Sequence, residues 1–358
     1  MQRNPNLLRN MTFMGNYLNP PITVWKGQCV SLSTHAPAVQ PIRSMMTIIP
    51  LDKTCSKVDF NFTFNDSILL PDTNPMNFLQ TKSGSFVTAE DPRILVLPND
   101  DLHAVFTSHY VTRHRIPQIG YSMISVNSSS SKLLYSDKYI MNSDNKEGQK
   151  NWTPFLYNNT VHYVAHLNPL QVITANEEEK QQQGNKNVYM KTVSQSSHVN
   201  ITWSSGHLRG GTPAHLINKD EYLSIFHSSR VIPSSMGTQG RITFFMGGIT
   251  FSSHPPFKVI RISSAPFIHE KFYNGPWFKR RYDYIVYPMG YVFCHSNGTK
   301  TTLANEMYEL IELKHMNESS NAYDNVDIIL SFGMQDVEGW TARINVDELL
   351  DTMEFVSY

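Results

Sequence analysis

Strand-like runs return along this chain at an interval of about 60 residues, and that rhythm limits its folds more than any other feature. His103-Ala104-Val105-Phe106-Thr107-Ser108-His109, Val161-His162-Tyr163-Val164-Ala165-His166 and Glu221-Tyr222-Leu223-Ser224-Ile225-Phe226-His227 are successive members. Asp283-Tyr284-Ile285-Val286-Tyr287-Pro288 continues the series, Asp327 to Gly333 ends it, and Ser44 to Ile49 lies one interval before it. Polar turns precede several runs: Asn99-Asp100-Asp101, Asn158-Asn159 and Asn218-Lys219-Asp220. Strand, turn and strand at each repeat predict a hairpin. Helical periodicity is nearly absent, and Val346-Asp347-Glu348-Leu349-Leu350 is the clearest helical segment.

Repeats of this size built from strands predict the blades of a β-propeller rather than the turns of a solenoid. The all-β chain of 358 residues has room for five blades, expected as a single domain over residues 1–358. A pair of β-sandwiches, or a two-domain all-β protein, fits the even spacing less well. The Ser-rich stretch Asn127 to Lys132 and the Glu/Gln-rich stretch Glu177 to Asn187 read as solvated insertions between blade strands, not linkers. The N-terminal segment is expected in the first blade, with the final strands near it.

Apolar residues make up 40% of the chain and charged residues 17%, enough for a real core and too few charges for disorder. Positive and negative side chains balance, and the basic ones do not cluster beyond Lys279-Arg280-Arg281. A nucleic-acid binder would carry a basic stripe, so no nucleic-acid partner is expected. No apolar run reaches the length of a membrane-spanning helix. Three cysteines rule out a disulfide-dense scaffold; a Cys29–Cys55 bridge that leaves Cys294 free is one arrangement open to them. No CxxC or HxxxH pattern occurs, so neither a structural zinc nor any other metal site is expected.

Nine Asn-x-Ser/Thr sequons stand at Asn10, Asn61, Asn65, Asn127, Asn151, Asn158, Asn200, Asn297 and Asn317. Chance would place roughly four or five in a chain this rich in Asn, Ser and Thr. The excess points to a secretory lumen or the cell exterior. The opening Met1-Gln2-Arg3-Asn4-Pro5-Asn6 lacks the apolar core of a signal peptide, which suits a truncated chain or a cytoplasmic protein.

The chemistry concentrates first in Thr88-Ala89-Glu90-Asp91-Pro92-Arg93-Ile94. Pro92 fixes its own φ and biases Asp91 toward extended geometry, which predicts a stiff strand entry. Alternation along that strand puts Asp91 and Arg93 on one face and Glu90 on the other. An acid beside a fixed cation can bind a polyhydroxylated ligand and move a proton, although an isolated E-D-P-R more often makes a helix N-cap or a surface ion pair. Four further clusters stand at matching places in later repeats: Lys150-Asn151-Trp152-Thr153-Pro154-Phe155, Leu208-Arg209-Gly210-Gly211-Thr212-Pro213, Phe226-His227-Ser228 and Ser331-Phe332-Gly333-Met334-Gln335-Asp336. Arg209-Gly210-Gly211 alone reads equally as a turn in which glycine supplies positive φ. Strands of equal rank converge on a propeller's channel, so Asp91, Arg93, Lys150, Asn151, Arg209, His227 and Asp336 are expected at one mouth.

The order E-D-P-R, K-N-W-x-P-F, R-G-G-x-P, F-H-S and S-F-G-x-x-D resembles the five-bladed propellers of glycoside hydrolase family 130 and related β-1,2-mannosyltransferases. Arg3-Asn4-Pro5-Asn6-Leu7-Leu8 is similar to that group's first-blade N-P-S segment. The likeness runs over nearly the whole chain as scattered motifs. It implies that Asp91 is the one catalytic acid, which in phosphorylases protonates the leaving oxygen through a hydroxyl of the bound mannose. It implies that Arg93, Lys150, Asn151 and Asp336 bind substrate, and that His227, in F-H-S where the group has Y-H-G, helps hold phosphate. Arg209 departs from the group's pattern and is assigned with His227 to phosphate or an activated donor, which puts phosphate itself in question.

The implied function is carbohydrate-active: inverting phosphorolysis or mannosyl transfer on a β-mannoside oligosaccharide or glycan. No cofactor is expected, with inorganic phosphate or mannose 1-phosphate as co-substrate. Direct displacement with inversion needs one acid at the leaving oxygen and a nucleophile on the opposite face. Phosphate is its own nucleophile and needs only cations to seat it. Hydrolysis on the same fold needs a base for water, and no motif supports Glu221 or Glu270 in that role. A sugar-binding propeller without catalysis is the other class, and it has no use for the acid at Asp91.

Overall fold

The computed structural model describes residues 7–15, 20–25, 28–35, 45–51, 55, 68–69, 87–110, 117–126, 133–141, 150–175, 187–199, 201, 203–233, 240–273, 284–295, 326–335 and 338–358. The first strand, Arg9–Gly15 (β1), is held over for the last blade. Blade 1 is Ile22–Trp25 (β2), Gln28–His35 (β3), Met45–Pro50 (β4) and Ile68–Leu69 (β5). Blade 2 is Val87–Val96 (β6), Leu102–Tyr110 (β7), Pro117–Val126 (β8) and Leu133–Met141 (β9). Blade 3 is Thr153–Tyr157 (β10), Thr160–Leu167 (β11), Leu170–Ala175 (β12) and Asn187–Gln195 (β13). Blade 4 has an interrupted inner strand, His207–Arg209 (β14) and His215–Leu216 (β15), against Glu221–Ile232 (β16), Arg241–Ser252 (β17) and Val259–Ser263 (β18). Blade 5 is Val286–His295 (β19), Val326–Met334 (β20) and Glu338–Asn345 (β21), with β1 as its outer strand. Helix α1, Val346–Asp351, then leads to Met353–Phe355 (β22), which pairs with β18 on the edge of blade 4.

The chain is therefore an all-β, five-bladed propeller. Each blade is antiparallel, and its first strand lies innermost: β2 packs on β19 and on β6, and β6 on β10. The turns at Asn99-Asp100-Asp101, Asn158-Asn159 and Asn218-Lys219-Asp220 each join an inner strand to the second strand of its blade. Asp100, Asn158 and Asn159 take positive φ there, a geometry that Asn and Asp tolerate best after glycine. Blades 2 and 3 also join at their outer edges, where β13 runs parallel to β9 over Asn187↔Tyr139 to Tyr189↔Met141.

The core lies between blades rather than within one. Val105 of blade 2 meets Trp152, Tyr163 and Ile173 of blade 3. Phe155 and Val164 of blade 3 pack against Phe226, Phe251 and Phe257 of blade 4, and Leu223, Ile225 and Met246 meet Val286, Tyr291 and Leu330 of blade 5. A middle strand is thus covered on both faces, which is why β20, VDIILSFGM, is buried at every position instead of alternating. Between blades 5 and 1, Met14, Ile22, Val292 and Ile329 enclose the Cys29–Cys55 disulfide and the free, buried Cys294. Burial pushes the Cys294 thiol up to about 11.

Two expectations change. The N-terminal strand belongs to the last blade, because pairing β1 with β21 covers an edge that either end of the ring would otherwise expose. The repeated runs do not all hold one rank: those in β7, β11, β16 and β20 are second strands, whereas Asp283–Pro288 falls on inner strand β19 and Ser44–Ile49 on third strand β4. Unequal connections shift the phase. The helix expected at 346–350 forms, capped by Asn345, whose Oδ1 accepts from the Glu348 amide at 3.1 Å. The insertions at 127–132 and 177–186 lie outside the described residues; Asn187 begins β13.

Candidate functional site

Strand β6 does not run straight through E-D-P-R. Its register with β7 shifts between Glu90 and Arg93, and Asp91 carries φ 49°. The extended Asp91 expected ahead of proline is replaced by a β-bulge. A bulge spares Pro92 a ladder hydrogen bond that it cannot donate, and Asp is among the few residues that accept positive φ cheaply. Simple alternation of Asp91 and Arg93 is lost, and the Arg93 guanidinium folds back so that Nη1 donates to the carbonyl of Asp91.

Arg93 is 1% exposed. Its Nε donates to the Gly211 carbonyl of blade 4 at 2.8 Å. Its Nη2 donates to Asn151 Oδ1 of blade 3 at 3.3 Å and to the Tyr287 hydroxyl of blade 5 at 2.5 Å. The Tyr287 hydroxyl donates in turn to Asn151 Oδ1. One buried cation thus ties four blades together through neutral acceptors, and its charge adds a positive field to the end of the channel. Burial, first, and the charge of Asp91 drive the Tyr287 hydroxyl well above its ordinary value, against the opposing pull of Arg93 and Arg209, so it stays a neutral phenol.

Asn151 stands just before β10 with φ 65°, 5% exposed. Its backbone is met by Gly210, where a Cβ would lie 1.9 Å from the Asn151 carbonyl oxygen. At Gly211 a Cβ would lie 2.1 Å from the Ile225 carbonyl oxygen. The two glycines are therefore needed for close approach of three backbones and not, as the turn reading had it, for positive φ. They also interrupt the inner strand of blade 4, and this gap frees the Gly210 and Gly211 carbonyls to face the site.

His227 lies in the middle of β16, opposite Arg209. Its Nδ1 is 2.7 Å from the Gly210 carbonyl oxygen, which can only accept, so Nδ1 carries the proton. Burial, and then the positive charge of Arg93, hold the ring well below its ordinary value, with Arg209 and Lys150 adding to the effect. His227 is a neutral imidazole whose Nε2 keeps its lone pair. Its ring lies against Tyr287, with centroids 4.3 Å apart, and stacks on Phe244 at 6.0 Å.

The structure thus gathers six of the seven sequence-derived residues. Arg93, Asn151 and His227 form a buried floor, Asp91 is half-buried above it, and Lys150 and Arg209 are exposed beside it. Asp336 lies outside the described residues. Tyr287 is the member that sequence reading missed; its signal was its place beside Pro288 on an inner strand, the same rank as Arg93. Glu221 is elsewhere, at the far end of β16 from His227 and paired with Arg261 at 2.9 Å. Glu270 is exposed at the start of a 3-10 turn, Glu270–Tyr273. The assembly can neutralise an anion with Lys150 and Arg209 over the field of Arg93, and the half-buried Asp91 carboxyl lies near them.

No protein-family model matches the sequence, and no curated protein matches it either. Solved structures do resemble it. A glycosyl hydrolase from Bacteroides ovatus superposes with a TM-score of 0.56 at 12% identity, covering 96% of this chain and 92% of that one. A β-1,2-mannobiose phosphorylase from Listeria innocua, in complex with β-1,2-mannobiose, gives 0.51 at 12% identity over 98% of each chain. A mannose phosphorylase from Leishmania mexicana, in complex with phosphate ion, gives 0.50 at 10% identity over 98% of this chain and 92% of that one. Likeness at such low identity is likeness of fold: this chain shares the propeller architecture of those sugar-processing enzymes.

Proposed function

We propose that the protein is a carbohydrate-active enzyme of the family 130 type, one domain over residues 1–358, that acts on β-mannosides by inverting phosphorolysis or mannosyl transfer. The observation that carries this reading is the combination of one half-buried acid, Asp91, with a positive field from Arg93, Lys150 and Arg209 at the same channel mouth.

In phosphorolysis a phosphate oxygen attacks the anomeric carbon from the face opposite the leaving group. The glycosidic C–O bond breaks with its electron pair on the leaving oxygen, and Asp91 supplies the proton that this oxygen takes up, by way of a mannose hydroxyl as the resemblance implies. Mannose 1-phosphate and the shortened acceptor result; transfer is the same displacement with an acceptor hydroxyl as nucleophile. Lys150 and Arg209 seat the anionic co-substrate, because preformed charge at a partly dehydrated site costs no reorganisation. Arg93 works through its neighbours and is a positioning residue. Asn151 and, in this reading, Asp336 hold ring hydroxyls. His227, neutral with a bare Nε2, accepts a hydrogen bond from a sugar hydroxyl or a protonated phosphate oxygen rather than attracting phosphate by charge.

Hydrolysis is the weaker reading, since Glu221 and Glu270, the two carboxylates considered as a base for water, lie outside the cluster. A screen of β-mannoside oligosaccharides with and without phosphate, and of mannose 1-phosphate and nucleotide-mannose donors with mannosyl acceptors, tests the proposal. Phosphate-dependent release of mannose 1-phosphate, or donor-dependent chain growth, is expected. Phosphate-independent release of free mannose makes it a hydrolase, and binding without turnover under any donor makes it a lectin-like propeller.

A further inference from the structure

A cavity opens at the same end of the propeller as Asn151. Blade 3 shows which end this is: Thr153 at the start of β10 pairs with Val164, so β11 runs on past Asn151's position to its turn at Asn168-Pro169. Asn168 forms one wall of a cleft of about 410 Å³ whose other walls are Ile201, Trp203, Ser204, His207 and Leu208. The cleft lies across two strands from the proposed active site, on the face that Leu208 and Ser228 share, while Arg209 and His227 take the opposite face. Leu208 precedes Arg209 and pairs with Ser228, the neighbour of His227. Trp203 Nε1 donates to that same Ser228 hydroxyl at 3.0 Å. Gly206, with φ 103°, lets the chain turn against blade 4, where a Cβ would sit 2.0 Å from the Ser229 carbonyl oxygen.

The chemistry of the walls selects the ligand. The cleft size falls within the range of about 300–1,000 Å³ usual for small-molecule sites. Among the described residues no Lys, Arg, Asp or Glu lines it, which distinguishes it from the cationic channel mouth and argues against an anion. Trp203 is buried, its one donor spent on Ser228 and its ring packed on Phe226, so the half-buried Ile201 and Leu208 give the cleft its apolar carbon. Ser204 and His207 are exposed and bring a hydroxyl and an imidazole to the rim. Asn168 is held rigidly, its Oδ1 accepting from the Val199 amide at 3.1 Å and its Nδ2 donating to the Val199 carbonyl at 3.3 Å, which leaves one N–H and one lone pair on a fixed amide. Apolar carbon facing neutral donors and acceptors matches the C–H face and the hydroxyl edge of a pyranose.

We infer that this cleft between blades 3 and 4 is a subsite for neutral sugar units of an oligosaccharide, beyond the unit held at the channel mouth. The inference rests on the proposed function for its substrate but not for its test. A filling variant, Ser204→Trp, changes an exposed position and spares the fold; His207→Ala removes one polar contact. Asn200 next to Ile201 begins a sequon, so the protein is made with Asn200→Gln or in a host without N-glycosylation.

Two measurements are made on wild type and variants: kcat/KM along a β-mannoside series from disaccharide to pentasaccharide, and calorimetric binding of the pentasaccharide. In the wild type kcat/KM rises with chain length, and Ser204→Trp removes about tenfold of that gain while the disaccharide is processed as before. His207→Ala gives a smaller loss of the same kind. Turnover that the variants leave equal at every chain length overturns the subsite and spares the active-site reading. Pentasaccharide binding that Ser204→Trp abolishes, in a protein that turns nothing over, supports the subsite and overturns the catalytic reading. Absence of both binding and turnover overturns both.

Discussion

Arg93 Nε donates to the carbonyl of Gly211 at 2.8 Å, a contact between residues 118 apart in sequence and on blades that are not neighbours in the ring. Together with Asn151 and Tyr287 this makes a cross-brace over the end of the channel. Arg93→Lys loses the planar fork and cannot reach all these acceptors at once, so several buried oxygens go without donors. A loss of at least ~3 kcal/mol is expected, read as a lower midpoint in thermal or denaturant melts. A variant as stable as wild type would show that the brace is dispensable.

Asp91→Asn is expected to fold normally, because Asn accepts the φ of 49° as readily as Asp does. It keeps the hydrogen-bonding reach and removes the proton. Turnover on a β-mannoside should fall by a factor of about 100 to 10,000 while binding persists. Full turnover in this variant places the acid elsewhere.

Buried histidines make the fold acid-sensitive. Burial lowers His103 to about 3 and His215 to about 4, and holds His227 well below its ordinary 6.5. The unfolded chain binds protons near pH 6.5 that the folded chain refuses until these lower values. Their contribution is therefore complete above pH 6.5 and is lost as pH falls, by about 1.4 kcal/mol per pH unit for each histidine. Denaturant melts between pH 7 and pH 5 should show the decline. His215→Phe, which keeps ring packing on Tyr291, should flatten it by one histidine's share.

Protein from a secretory host should carry no glycan on Asn151, whose sequon is buried under the cross-brace. Asn158 is the better acceptor among the described sequons, exposed at the tip of the β10–β11 turn. Asn65, Asn127 and Asn317, favoured by their polar contexts, lie outside the described residues. Glycopeptide mass spectrometry checks both, and a glycan on Asn151 would remove that residue from the site.

The sequence made the blades legible because hairpins are local: an Asn- or Asp-rich turn between two apolar runs signals itself within about a dozen residues. It also brought Asp91, Arg93, Lys150, Asn151, Arg209 and His227 together, since inner strands share one axis and His227, on a second strand, stands opposite Arg209. What stayed hidden was non-local. Nothing near Arg93 announces that its partners lie on three other blades, or that Tyr287 is one of them. The bias that proline imposes on Asp91 is real but small, and the bulge overrides it. Gly210-Gly211 carries a turn's signature locally, while its causes are the Asn151 backbone of blade 3 against Gly210 and the Ile225 backbone of its own blade against Gly211.

The pairing of β1 with β21 sets synthesis against assembly. Residues 9–15 leave the ribosome long before residues 338–345, the strand they pair with in the finished fold. Arg93 likewise waits for Tyr287, which is made 194 residues later. Until then a nascent chain holds an open ring with a buried-type cation still in water. The cross-braced end of the channel exists only after the last blade has docked, so a ribosome-bound or C-terminally shortened chain carries nearly every residue of the proposed site without its arrangement.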